Sequence, residues 1–411
     1  MIKVVSLGSI AAAAALALVA AFQVSIAQGP PSPGTLLADG YVGSIGTVID
    51  GECNLYVTEA GTGGDEVISI PDVGDFYVGT TAQITKVSPS GEKTVVASGL
   101  WSAHQGDGFG YGVIDVALLD GDLYYLLTGT AVPLGSTNGV YKVESDGSST
   151  LVADIGAFND ANPVAFPDSV PGGNPYSLTP YDGGFAVADG NYNRLLKVEL
   201  DGSIEIIISL DNVVPTGVTV AQDGSLVWAQ IGPFPHEPAD GKVVQLTGTS
   251  TTTLASGLAN VIDVQYGADD RLFALTLGDS DPSGEAPGVP FTGRISIVNA
   301  DGTFSPIVEG FMFATSMEFC EGDAYVTGLT GETRVVADVG SLQPLPTPTP
   351  TSVPTSTPTA APTATTVPPG PPATGTGSTS ASTSATLWFA MSALALVAGG
   401  AGLVFASRRR S

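Results

Sequence analysis

Asp120-Gly121-Asp122-Leu123-Tyr124-Tyr125 joins a tight acidic turn to a short strand, and five related phrases occur along the chain. Leu55-Tyr56-Val57 follows Asp50-Gly51, and Phe185-Ala186-Val187 follows Asp182-Gly183-Gly184. Leu226-Val227-Trp228 follows Asp223-Gly224, Leu272-Phe273-Ala274 follows Asp269-Asp270, and Ala324-Tyr325-Val326 follows Glu321-Gly322. An Asp-Gly step supplies the positive φ that a short hairpin needs. Six spaced copies of one hairpin indicate a repeat architecture.

The surroundings of each phrase also repeat. In the second copy a hydrophobic run at 113–118 precedes the turn and another at 139–143 follows the phrase. After Asp146-Gly147 comes a fourth run at 150–153. Four antiparallel strands per repeat, set radially, predict an all-β protein, a six-bladed β-propeller. The sixth repeat lacks its own fourth strand, because the chain leaves Thr333-Arg334-Val335-Val336-Ala337 for a proline-rich tract. Thr35-Leu36-Leu37-Ala38-Asp39-Gly40 reads like Thr94-Val95-Val96-Ala97-Ser98-Gly99, so the N-terminal strand is expected to close the last blade. Closure removes an exposed sheet edge.

Cys53 and Cys320 lie at the first turns of blades one and six, which are neighbours only in a closed ring. In a secreted chain they are expected to form a disulfide, the alternative being two buried thiols.

The two ends read as targeting devices. Residues 1–27 carry Lys3, an apolar run and Ser25-Ile26-Ala27, the pattern of a secretory signal peptide. The propeller is expected over 28–342 and a Pro/Thr/Ser-rich stalk over 343–386. In polyproline form the stalk would extend on the order of 100 Å. Residues 387–406 form an uncharged apolar run long enough to span a bilayer. The tail at 407–411 contains Arg408, Arg409 and Arg410, which place the C-terminus in the cytoplasm. Cell-surface display on a single membrane anchor is the expectation. Pro371-Pro372-Ala373-Thr374-Gly375 before the apolar run is similar to a sortase sorting signal, and keeps cell-wall attachment as the alternative.

The chain carries 40 acidic and 13 basic residues, a formal charge of −27. Every acidic residue lies in the outer part, which argues against a nucleic-acid partner. Solubility at a surface, or attraction of cations, fits that sign.

Connections between the second and third strands, and between blades, include the long ones: 60–81, 99–111, 155–174, 231–241 and 277–293. All fall on one face, here the loop face, where binding is expected. Glu59, Asp189 and Gln230 follow the second strand in blades one, three and four. Asp115 and Asp263 share a repeated Val-Ile-Asp-Val on the innermost strand. Such carboxylates would suit a divalent cation such as calcium, with Glu59 and Asp189 as metal ligands, or would position a polar ligand. Capping of turns and lining of a water-filled channel are the competing roles. The two histidines, His104 and His236, lie in long loops of the same face and are further ligand-binding candidates. No metalloprotease helix, nucleophile elbow or phosphate loop is present.

Asn54-Leu55-Tyr56-Val57-Thr58-Glu59-Ala60-Gly61-Thr62-Gly63-Gly64 resembles the opening blade of the ScyD/ScyE family. Asn174-Pro175-Tyr176-Ser177-Leu178 and Val187-Ala188-Asp189-Gly190-Asn191 resemble its third. Val214-Pro215-Thr216-Gly217-Val218, Gly232-Pro233-Phe234-Pro235 and Ala259-Asn260-Val261-Ile262-Asp263 resemble later ones. The resemblance implies a secreted, NHL-like six-bladed propeller; the family is named for genes grouped with synthesis of the pigment scytonemin. The stalk and anchor are not part of that pattern. Similar six-bladed gluconolactonases hold a central metal with carboxylate and amide ligands, a part Glu59 and Asp189 would play. Fold alone does not settle function. The expected function is a surface-displayed, monomeric binding or scaffold module for a small-molecule or surface ligand. The alternative is an extracytoplasmic metal-dependent hydrolase or lyase of the gluconolactonase type.

Overall fold

The computed structural model describes residues 32–345, apart from 71–73, 106–109, 130–135, 167–168, 234–235 and 282–287. The signal segment, the anchor and nearly all of the stalk lie outside the described residues. Among the described residues no helix is long and apolar enough to cross a membrane.

Six antiparallel sheets make the six blades of a β-propeller. Their innermost strands are Thr47–Ile49, Val113–Leu119, Pro175–Tyr181, Pro215–Val220, Val261–Tyr266 and Ala314–Cys320. The turn chemistry read in the sequence sets the hairpins. Asp120 and Gly121 have φ 53° and 86°, Asp182 and Gly183 have 48° and 81°, and Glu321 and Gly322 have 51° and 94°. Two consecutive left-handed residues between strands form the turn whose twist matches the flanking strands.

Burial explains why the second strands read as unbroken apolar runs. Every residue of Gly184–Asp189, Leu226–Gln230 and Leu272–Thr276 is buried, since each strand is covered by neighbouring blades on both faces. One inter-blade layer, for example, joins Ala186, Ala188 and Leu195 to Val218, Trp228 and Val244. The outermost strand Ile204–Ser209 is only partly covered.

The last blade is closed as expected. Thr35–Asp39 pairs antiparallel with Glu332–Val336, with Thr35 opposite Val335 and Asp39 opposite Glu332. Deleting residues 32–40 should therefore expose the edge of Glu332–Val336 and give an aggregating or partly unfolded protein. Size-exclusion chromatography and a thermal melt indistinguishable from the intact chain would contradict that closure.

Two of the expected loops are instead largely strand. In blade one, Gly74–Val87 and Lys93–Gln105 continue well past the ring, pairing Phe76 with Gln105 and Val78 with Ala103. Glu66–Ile70 adds to one edge. Phe76, Val78, Ala103 and Tyr111 give this extension its own small core. The connection at 155–174 opens with the helix Ile155–Ala161, N-capped by Asp154 through a 2.7 Å bond from Ala157 N.

Candidate functional site in the central channel

The innermost strands can be aligned level by level. Asp115, Ser177, Asp263 and Ser316 each stand opposite the penultimate residue of the second strand in their blade, just after a register shift. Gly46 and Gly217 take the same place in blades one and four. From blade one to blade six, this level reads Gly46, Asp115, Ser177, Gly217, Asp263, Ser316. The order Gly-Asp-Ser runs twice round the ring, so blades one to three repeat as blades four to six.

The repetition has a physical cause at each step. Asp115 accepts from its neighbour Val116 N at 2.9 Å and, across the blade boundary, from Leu178 N at 2.8 Å. Asp263 accepts from Val264 N and, across its boundary, from Met317 N, both at 2.8 Å. A Cβ on Gly46 would collide with the Asp115 carboxylate and lie 2.5 Å from Ile114 O. One on Gly217 would lie 2.5 Å from Asp263 Oδ1 and 3.0 Å from the carbonyl of Ile262. Glycine is thus required for the preceding blade to reach the aspartate. The serines continue the belt: Val218 N donates to Ser177 Oγ at 3.3 Å, and Ser316 and Thr47 hydroxyls share a 2.7 Å bond. Thr58 donates to Ile114 O and Thr216 to Val261 O. All six blade boundaries are stapled on the axis.

Inside this belt lies a cavity of about 210 Å3, lined by all six innermost strands. Its titratable lining groups are Asp115, Tyr176, Asp263 and Glu318; among the described residues no lysine, arginine or histidine lines it. On the loop-face side it is stopped by buried Ile45, Ile114, Tyr176 and Ile262. Toward the opposite face Val48, Thr179, Gln265 and Glu318 are partly exposed, so the channel opens on the side of the tight turns.

Burial without a counter-charge governs the electrostatics. It pushes Asp115 up to about 7 against the opposing hydrogen bonds from Leu178 N, Val116 N and the Ser177 hydroxyl. It pushes Asp263 up to about 8, with the Met317 N bond opposing and the Asp115 charge adding to the rise. Glu318 is raised well above the usual carboxylate range by burial, then by the charges of Asp263 and Asp115. Asp115 and Glu318 keep some water contact because the channel is hollow, but protein surrounds them. Tyr176 is 4% exposed, and its hydroxyl has no hydrogen-bond partner. Its ionisation is opposed by burial and then by both Asp263 and Asp115. A blade-three side chain influenced by aspartates of blades two and five projects toward the axis.

The other sequence candidates do not line this cavity. Glu59 is 5% exposed and accepts from Val42 N at 3.0 Å, Gln83 Nε2 at 2.8 Å and Thr85 Oγ1 at 2.6 Å. Asp189 is fully buried and accepts from Asn174 N, Asn191 N, Tyr192 N and Asn159 Nδ2. These two carboxylates sit in separate blades, each holding the chain segments around it. Gln230 is buried at the end of its strand, opposite Pro215 and Lys242. His104 stacks on Tyr77 at 5.0 Å in the blade-one extension. His236 makes a 2.8 Å contact through Nδ1 with Gly232 O, and burial lowers its proton affinity. Among the described residues no group of three His, Cys, Asp or Glu is arranged to hold a metal ion. Glu318 and Tyr176 were not among the sequence candidates. The signal for Glu318 was a lone acid inside the otherwise apolar and small-residue run Ala314–Cys320.

No protein-family model and no curated protein matches this chain. Among solved structures it is similar to a gluconolactonase from Xanthomonas campestris, at 13% identity over 73% of this chain and 87% of that one, TM-score 0.48. It is similar to the calcium-binding protein regucalcin from Agrobacterium tumefaciens, at 11% identity over 72% and 86%, TM-score 0.45. It is also similar to virginiamycin B lyase from Staphylococcus aureus, at 12% identity over 71% and 94%, TM-score 0.42. At such identities none of these transfers an activity, and the assignment of six blades rests on the six sheets themselves.

Proposed function

We propose that this protein is a surface-displayed, membrane-anchored extracytoplasmic binding module, ScyD/ScyE-like in its blades, whose ligand seat is the central channel. One observation carries the reading: a polar cavity on the ring axis lined by the carboxyl groups of Asp115, Asp263 and Glu318, where Glu318 makes no hydrogen bond to a described residue. The Glu318 carboxyl is partly exposed to the channel, so its oxygens can accept from a ligand or from solvent. The cavity volume, about 210 Å3, suits a small molecule or a cluster of waters. A hydrolase or lyase reading draws on Asp115 and Asp263, raised to about 7 and 8, where a general acid works best. Their oxygens, however, are already engaged in stapling blades.

The test is a thermal-shift screen of the full-length protein in detergent against small amines, polyols and divalent cations. A native-state ligand raises the melting temperature by mass action. The expected result is at least one class that stabilises the wild type by several degrees and loses that effect in Glu318→Gln. Stabilisation retained in Glu318→Gln by every active compound, or none by any, would overturn the channel as the seat.

A further inference from the structure

We propose that the extension of blade one accepts an extended, basic peptide segment of a partner protein as an added strand, on the free edge of Glu66–Ile70. This surface is separate from the channel and does not depend on it.

The outer strands of the ring are blunted against such pairing. Thr35–Asp39, Lys93–Gln105, Ser149–Asp154, Ile204–Ser209, Ser250–Ser256 and Phe304–Phe311 each meet their neighbour with a register shift. Bulges twist an edge away from a would-be partner. Glu66–Ile70 has no such guard. It runs from Glu66 opposite Val78 to Ile70 opposite Gly74 without a shift, holds no lysine or proline, and pairs with no other described strand. A regular edge leaves alternate N–H and C=O groups pointing outward, a template that an added strand completes.

The side chains of this edge select the partner. Val67 is 52% exposed and stands opposite Tyr77, which is 37% exposed and stacks on His104 of the next strand. The row ends at the free edge, so an apolar residue of the added strand would extend it. Asp65 and Glu66 precede Val67, and Asp75 lies opposite Ser69; all three acids are exposed. The segments that build the extension, 61–82 and 98–112, contain no lysine or arginine. Two copies of this chain would set like charges against each other, and the Pro/Thr/Ser-rich tract at 343–386 carries no basic residue. A segment combining apolar residues with lysine or arginine meets both the row and the acids.

The test is fluorescence polarisation with the full-length protein in non-ionic detergent, in enough salt to screen distant charge. The probe is a blocked, fluorescein-labelled heptapeptide alternating lysine and valine. Its fully N-methylated form keeps the charge but has no backbone donors, and a glutamate/valine form reverses the charge. The expected result is saturable binding of one peptide per chain, weakened about tenfold or more in both altered peptides. Val67→Lys should weaken binding about tenfold, because a lysine on the edge guards it. Leu200→Lys, which puts the same charge on an exposed turn of blade three, should leave binding unchanged. No binding of the lysine/valine peptide, equal binding of either altered peptide, or equal effects of the two lysine variants would each overturn the proposal. Val67 lies outside the small core of the extension, so its variant should fold, and the peptide comparison in the wild type decides the matter if it does not.

Discussion

Asp115→Ala and Asp263→Ala should each destabilise the propeller by about 2–4 kcal/mol. Each substitution leaves two backbone N–H groups without an acceptor, one of them across a blade boundary, and a buried orphan costs roughly 1–3 kcal/mol. The pairs are Val116 and Leu178 for Asp115, and Val264 and Met317 for Asp263. The same two residues should give stability an unusual pH dependence. In the unfolded chain an aspartate loses its proton near pH 4. In the fold burial holds Asp115 up to about 7 and Asp263 up to about 8. Between those limits the native state binds protons that the unfolded state has released, so stability falls as pH rises. The stabilising contribution is fully present below about pH 4 and is lost as pH passes through 7 and 8. Denaturant unfolding at pH 5, 6.5 and 8 should show stability decreasing by a few kcal/mol. The Asp115→Asn/Asp263→Asn double variant should flatten that slope, since amides do not titrate. An unchanged slope in the double variant would place the responsible groups elsewhere.

The ring was legible in the sequence because its information is local. Three of the six turns have two consecutive left-handed residues at the positions where the Asp-Gly or Glu-Gly step stands. The closing strand was legible for the same reason, as a copy of a phrase found elsewhere in the chain. The extension of blade one was not, because Gly61, Gly63, Gly64, Gly74 and Gly79 punctuate a segment whose strands nonetheless pair. At Gly63, Gly64 and Gly79 the backbones approach so closely that a Cβ would meet backbone atoms of the facing segment. There glycine marks close approach rather than a turn.

The site was legible only in part, because its logic is distributed over the ring. The repeated Val-Ile-Asp-Val singled out Asp115 and Asp263, but not what they hold. That depends on Gly46 and Ser177 around one, and on Gly217 and Ser316 around the other. These residues come into line only after each innermost strand is shifted by its bulge. Glu59 and Asp189 read as carboxylates just after the second strand, alongside the channel acids, whereas each is buried among donors from its own surroundings. Acids that a fold uses for nearby backbone N–H groups and acids that it leaves facing a cavity share one sequence signature. Only the count of partners separates them.

The second large effect concerns the bond that locks the ring. Cys53 and Cys320 are joined in a disulfide, Cα to Cα 5.7 Å, between the first turns of blades one and six. The closing strand and this bond act on the same problem from two sides. The strand fills the edge of blade six, while the disulfide fastens blade six to blade one across the boundary where the chain begins and ends. Their separation in sequence is 267 residues, so the bond constrains nearly the whole domain in the unfolded state. Chain-entropy reasoning puts the gain for so long a loop at about 5 kcal/mol, with measured values for disulfides spreading from about 0 to 5. The Cys53→Ser/Cys320→Ser variant should therefore unfold at clearly lower denaturant, by about 2–5 kcal/mol. Reductant should move the wild type to the same midpoint and leave the variant unaffected. The spectrum of the folded state should not change, because Thr35–Asp39 still pairs with Glu332–Val336 and the axial belt remains. Combining the cysteine variant with loss of residues 32–40 should cost more than the two changes separately, since each alone leaves the other to hold blade six in place. Strict additivity would mean that strand and disulfide stabilise independent parts of the ring, and the two-sided closure would not hold.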